Sequence, residues 1–232
     1  RDTGIMDGPP IRYWLPGADT WRTADSWPPA NSFHREFSLC ADGRLSEDEG
    51  IAGERTYTTL GSGLGRDGTK PTDPPRQLVW TSDRMTSSVE VVGDIELCLD
   101  AASSATDTGW IVLLSDIGED GSATPITQGY LQASLREVDE SKSRRGAPEL
   151  PCRTAQVVPP GERVAYRIPL VPNARRILTG HRLALTIVSD DQHKEFPAIM
   201  DFRHTPVGTS SRNTVFSSSR LLLPVQAVGE IP

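Results

Sequence analysis

The feature that most constrains this chain is the spacing of its apolar residues, which repeats every two positions far more often than every 3.6. Ile95, Leu97 and Leu99 alternate with Glu96, Cys98 and Asp100, and Val89 and Val91 do the same with Ser88 and Glu90. Val164, Tyr166, Ile168 and Leu170 form a third set, and Leu183, Leu185 and Ile187 a fourth. Successive side chains of a strand point to opposite faces, so these stretches predict half-buried β-strands. Trp110 to Leu114 is continuously apolar and predicts a strand covered on both sides. Ile11 to Leu15 also reads as a strand.

Turn residues separate the runs: Gly93-Asp94, Glu119-Asp120-Gly121, Pro159-Pro160-Gly161 and Thr179-Gly180. The 19 prolines and 20 glycines are spread between the strands, as many short antiparallel strands require. Only single helical turns are expected, at Thr23 to Ser26 and Asn173 to Leu178. Asp42 to Gly53 and Gly61 to Pro75 read as long loops. The expected architecture is all-β: a two-sheet antiparallel β-sandwich with long loops and few helical turns, a jelly roll being favoured by the strand count. With 232 residues such a chain can form one domain that buries roughly 70% of its unfolded surface, so no metal or disulfide is needed to hold it.

A net charge of -7 speaks against nucleic acid as a partner, because phosphate binding needs clustered cations. The densest basic patch, Lys142 to Arg145, sits beside Glu137, Asp139 and Glu140 and reads as a solvated loop. No apolar run approaches the roughly 20 residues of a membrane span, and no basic-then-apolar leader is present, so no membrane partner is expected. Cys40, Cys98 and Cys152 cannot all pair with one another and lack C-x-x-C spacing. Cys98, between Leu97 and Leu99, reads as a structural thiol. The set suits a reducing cytoplasm, with secretion as the alternative.

Chemistry is sparsely encoded. Gly63-Leu64-Gly65-Arg66-Asp67-Gly68 fits G-x-G-x-x-G, but the prolines at 71, 74 and 75 forbid the helix that would hold a pyrophosphate, so it reads as a loop. There is no G-x-S-x-G elbow, and neither a cofactor nor catalysis by this chain is expected. Asp190, Asp191, His193 and Glu195 follow a predicted strand and read as a charged loop, with a metal site or a pocket-lining loop as the functional alternative. The ligand set matches no transition-metal geometry, so no metal is assigned. Calcium on loop carboxylates with Asp116 or Asp120 is a further option without a supporting pattern. Trp14, Trp21 and Trp27 crowd into the first stretch, where they could stack on a ligand, fill an interface or anchor the first strands. The candidate ligand or domain-interface residues are therefore Trp14, Trp21, Trp27, Asp190 and His193.

Several ordered segments carry a resemblance. Pro9-Pro10-Ile11-Arg12-Tyr13-Trp14-Leu15-Pro16-Gly17, then Trp21-Arg22 and Trp27-Pro28-Pro29, resemble the opening of the C-terminal domain of the Xaa-Pro dipeptidyl peptidase and cocaine-esterase-like (CocE/NonD) serine hydrolases. Val79-Trp80-Thr81-Ser82, Val91-Val92-Gly93-Asp94-Ile95-Glu96-Leu97 and Asp107-Thr108-Gly109-Trp110 are similar to later motifs of that domain. So are Thr127-Gln128-Gly129-Tyr130-Leu131-Gln132-Ala133-Ser134, Gly180-His181-Arg182-Leu183 and Ser219-Arg220-Leu221-Leu222-Leu223-Pro224-Val225. Asp190 to Pro197 is longer than the corresponding family turn.

The resemblance implies a jelly roll of the galactose-binding-domain type, without catalytic residues, packed on an α/β-hydrolase domain of the same polypeptide that holds a Ser-Asp-His triad. It implies a supporting role: closing one side of the substrate pocket and helping homo-oligomers form. Residues 1–8 resemble the junction from the hydrolase domain, leaving 9–232 as a single β-sandwich domain. A stand-alone carbohydrate- or ligand-binding jelly roll is the competing expectation.

Overall fold

A computed structural model describes residues 4, 7–59, 76–189 and 210–226. Thirteen strands are described: β1 (Ile11–Leu15), β2 (Thr20–Ala24), β3 (Ser32–Leu39), β4 (Arg44–Ser46), β5 (Glu54–Thr59), β6 (Gln77–Ser82), β7 (Val89–Ser103), β8 (Gly109–Ile117), β9 (Ala123–Gln132), β10 (Arg163–Ile177), β11 (Arg182–Val188), β12 (Ser211–Phe216) and β13 (Arg220–Gln226). The one helical element among the described residues is a 3-10 turn at Ala133–Leu135. No described helix is long and apolar enough to cross a membrane.

β1 and β2 form a separate hairpin; the other eleven strands make one ladder ordered β10-β9-β8-β11-β6-β4-β3-β13-β7-β12-β5. This ladder also joins β10 to β7, so it folds back on itself as an antiparallel sandwich. Among the described residues only the short β4–β6 pairing is parallel. The inward side chains of both faces meet in one core around Trp80, Trp110, Tyr57, Tyr166, Ile95, Leu97 and Ile168. The apolar alternation thus does what a period of two predicts: one side of each strand enters the core and the other meets solvent or a covering loop.

Three expected breaks are instead continuous strand. Thr23 and Ala24 complete β2, and Asn173 to Ile177 complete β10, because cross-strand pairing with Ile11–Arg12 and with Val89–Gly93 supplies the hydrogen bonds a local turn would have made. Gly93-Asp94 is no turn either. Gly93 lies inside β7 at φ 137°, where the registers of β10 and β13 both slip, and an added Cβ there would press on Pro28 and Pro224. This glycine accommodates a bulge in a long strand. Gly129 serves the closure of the ladder, since a Cβ would lie 2.5 Å from the Pro169 carbonyl oxygen at the single β9–β10 contact. The turns at Gly121, Gly161 and Gly180 are present, all at positive φ. Asp42 to Gly53 is less irregular than expected, because it contains β4.

Candidate functional site

The hairpin at the start of the chain sorts its aromatic residues by strand parity. Tyr13 and Arg22 turn inward, while Arg12, Trp14, Trp21 and Thr23 turn outward. Trp14 and Trp21 are direct cross-strand partners; their rings meet edge-on at 5.6 Å and remain 43% and 55% exposed. The Arg12 guanidinium lies 4.5 Å from the centre of the Trp21 ring. Trp27 is elsewhere, edge-on to Tyr13 at 5.7 Å and only partly exposed. The three tryptophans grouped by sequence therefore divide into an exposed pair and a packing residue.

Beneath the hairpin, the buried carboxylate of Glu90 accepts from Arg176 Nε at 3.1 Å and has Arg22 Nη2 at 3.6 Å. The Arg176 amide donates to the Pro16 carbonyl. Burial, and then the nearby Glu90 charge, raise the Tyr13 phenol above its ordinary pKa. The hairpin is thus fixed to β7 and β10 by polar bonds as well as packing.

Asp190 and His193, with Asp191 and Glu195, lie outside the described residues, as does the glycine-rich segment 63–68. The structure does show what stands at the end of β11. Ser189 Oγ lies 2.8 Å from the Tyr57 hydroxyl, and the fully buried Asn213 amide donates to Tyr57, Thr108 and Ser189. Thr59 and Ser211 hydroxyls bond each other beside it. Desolvation pushes the Tyr57 phenol up to about 12. Around Tyr57 the members are short polar residues of β5 and β12 and of the flanks of β8 and β11, with no common spacing to advertise them as a set. Sequence reasoning passed over them.

A second feature missed in the sequence is the set of buried acids along β7 and β8. Glu96 is 0% exposed and accepts from Arg167 Nε at 2.6 Å and from the Gly146 amide at 2.9 Å. On the same strand Asp94 pairs with Arg144 and the partly exposed Asp100 with Arg163, while the exposed Glu36 of β3 pairs with Arg145. The Arg163 hydrogen bond holds the Asp100 carboxyl below the usual range. The basic patch at 142–145 is the solvated loop expected, and its exposed Arg144 and Arg145 also reach across the sheet to Asp94 and Glu36. Its Lys142 hydrogen-bonds Asp139, whose carboxyl is lowered to about 2.

Asp116 is unsuited to calcium. One oxygen lies 2.8 Å from His181 Nδ1 and the other accepts from Arg175 at 2.8 and 3.0 Å, so cationic or N–H donors occupy the positions a metal would take. Among the described residues His34 Nε2 meets the Asp94 carbonyl at 3.2 Å and His181 Nδ1 meets Asp116, and no serine hydroxyl is hydrogen-bonded to either ring. The polar groups here brace the sheet.

The thiols follow the same pattern. Cys40 is buried and its pKa is raised by that burial; Cys98 is pushed up to about 12 by burial and then by Glu96; Cys152 is exposed. Thiolate is the reactive form, so native protein at pH 8 is expected to titrate one thiol with Ellman's reagent, at Cys152, and three after denaturation. Rapid native labelling of Cys98, located by mass spectrometry, would contradict this placement.

Comparison with known proteins gives a consistent answer. Residues 3–214 match the X-Pro dipeptidyl-peptidase C-terminal non-catalytic domain. A Mycobacterium bovis protein provisionally named a serine esterase is 27% identical in an alignment 212 residues long that covers 82% of this chain and 34% of that protein. The cocaine esterase of a Rhodococcus species is 24% identical in an alignment 217 residues long that covers 82% of this chain and 36% of the enzyme. A CocE/NonD family hydrolase from Staphylococcus aureus superposes with a TM-score of 0.80 at 16% identity, covering 98% of this chain and 43% of that one. The chain spans about a third of the length of the curated relatives it matches.

Proposed function

The chain belongs to the X-Pro dipeptidyl-peptidase C-terminal non-catalytic domain family, and from that membership we propose that it serves as the supporting β-domain of a longer serine hydrolase. In this reading residues 1–8 are the junction and 9–232 the domain itself. The domain packs on an α/β-hydrolase domain of the same polypeptide, closes one side of its substrate pocket and contributes surface for homo-oligomers. The observation that carries the reading is the family match over residues 3–214, in relatives about three times as long. The use made of the buried charges among the described residues supports it: Glu90, Glu96 and Asp116 are held by Arg176, Arg167, Arg175 and His181 in bonds that tie strands together, as in a scaffold whose chemistry is housed next door.

Two results would test it. The purified chain is expected to fold and to leave ester and p-nitroanilide substrates untouched, while the reading frame upstream of Arg1 encodes a segment with a G-x-S-x-G elbow. Turnover by the purified chain, or a reading frame without a hydrolase segment, would sink the proposal.

A further inference from the structure

We propose that the outer face of the β1–β2 hairpin, formed by Arg12, Trp14, Trp21 and Thr23, is the contact through which this domain seats on its hydrolase domain. The inference rests on the reading above and adds to it the surface and the chemistry of the partner. Two half-exposed indoles beside an arginine are the residue types that dominate binding energy at protein interfaces. The side chains are also preorganised. Trp14 and Trp21 are held edge-on by the strand register, and the Glu90–Arg22–Arg176 cluster fixes the hairpin from below, so little ordering entropy remains to be lost on docking.

The arrangement narrows the choice of occupant. A sugar stacks on an open, flat indole face, but Arg12 covers one face of Trp21 and the two rings stand at 68° to each other. They make a wedge rather than a platform. A second copy of this chain fits poorly too, because the four outward side chains hold one cation and no carboxylate, so a symmetric contact centred on them would set arginine against arginine. What fits is a shallow apolar recess with a carboxylate at its rim, placed to receive Arg12 as it loses water. The hydrolase domain is the partner to which the family match points, and the hairpin is the first structural element of the matched region.

Hydroxyl-radical footprinting of the full-length polypeptide would test this. Trp14 and Trp21 are expected to oxidise roughly tenfold more slowly than exposed tryptophans, as residues in a dry interface centre should. The double substitution Trp14→Ala with Trp21→Ala is expected to split one thermal transition into two, with the circular dichroism of the β-domain retained. Arg12→Glu should do so as well, by setting charge against charge. Free oxidation of both tryptophans in a polypeptide that contains a hydrolase segment would overturn the docking surface alone. A polypeptide without that segment would overturn the functional reading with it. Protection that appears only with added sugar, or only at concentrations where the protein dimerises, would also refute this assignment.

Discussion

Replacing Arg167 with methionine is expected to cost about 3–5 kcal/mol of folding stability, the range seen when one partner of a buried ion pair is removed. Glu96 has no contact with water, and Arg167 supplies two of its hydrogen bonds, through Nε at 2.6 Å and Nη2 at 3.2 Å. Methionine retains much of the stem but leaves a carboxylate charge in the protein interior, with the Gly146 amide as a remaining donor. Glu96→Leu alone should cost less, because Arg167 is partly exposed and still reaches Glu140 at 2.9 Å. The double substitution should recover a large part of the Arg167→Met loss, since an apolar pair of similar volume has no desolvation penalty. Urea denaturation of all four proteins closes the cycle. If Arg167→Met were as stable as the parent, Glu96 could not be held as the structure shows.

Alkaline pH should weaken the fold through Tyr57. Its phenol is buried against Ser189 and Asn213, and burial raises its pKa from an ordinary 10.0 to about 12. A pKa higher in the folded than in the unfolded protein means that the protonated form is the one folding favours. The associated stability is therefore fully present below pH 10 and is lost as pH rises through 12. Two units of displacement correspond to a loss on the order of 3 kcal/mol. Tyr13 and Tyr166 are shifted in the same direction and add to the slope, so the informative comparison is with Tyr57→Phe. That variant should be weaker near pH 8, because Ser189 and Asn213 lose a partner, yet should lose less on going from pH 9 to pH 11.5. Parallel stability curves for the two proteins would show that Tyr57 does not titrate from a buried site.

Much of the architecture was legible in the residues. Ile11–Leu15 is a strand with the expected bounds, and the alternating sets around Leu97, Ile168 and Leu185 all lie in strands whose inward members fill the core. Gly121, Gly161 and Gly180 make the turns assigned to them. The errors share a cause. Gly93-Asp94 and Asn173 to Leu178 carry local turn or helix signals, but each lies opposite a long partner strand whose hydrogen bonds outweigh local preference. The candidate site was legible in part: the three tryptophans were found, but only strand parity and the fold of the hairpin separate the exposed Trp14–Trp21 pair from Trp27.

By itself the sequence determined the fold class and the family, because a period of two and an ordered series of short motifs are properties of the chain read in one direction. The polar interior was decided by the tertiary structure alone. Glu96 and Arg167 are 71 positions apart, and Asn213 and Tyr57 are 156 apart. Such pairs leave no periodic trace, since an acid on the outward side of a strand is compatible with solvent until a distant arginine and a covering loop are folded over it. The closing of the ladder through β7 and β10 brings those groups together, and burial then sets their energies.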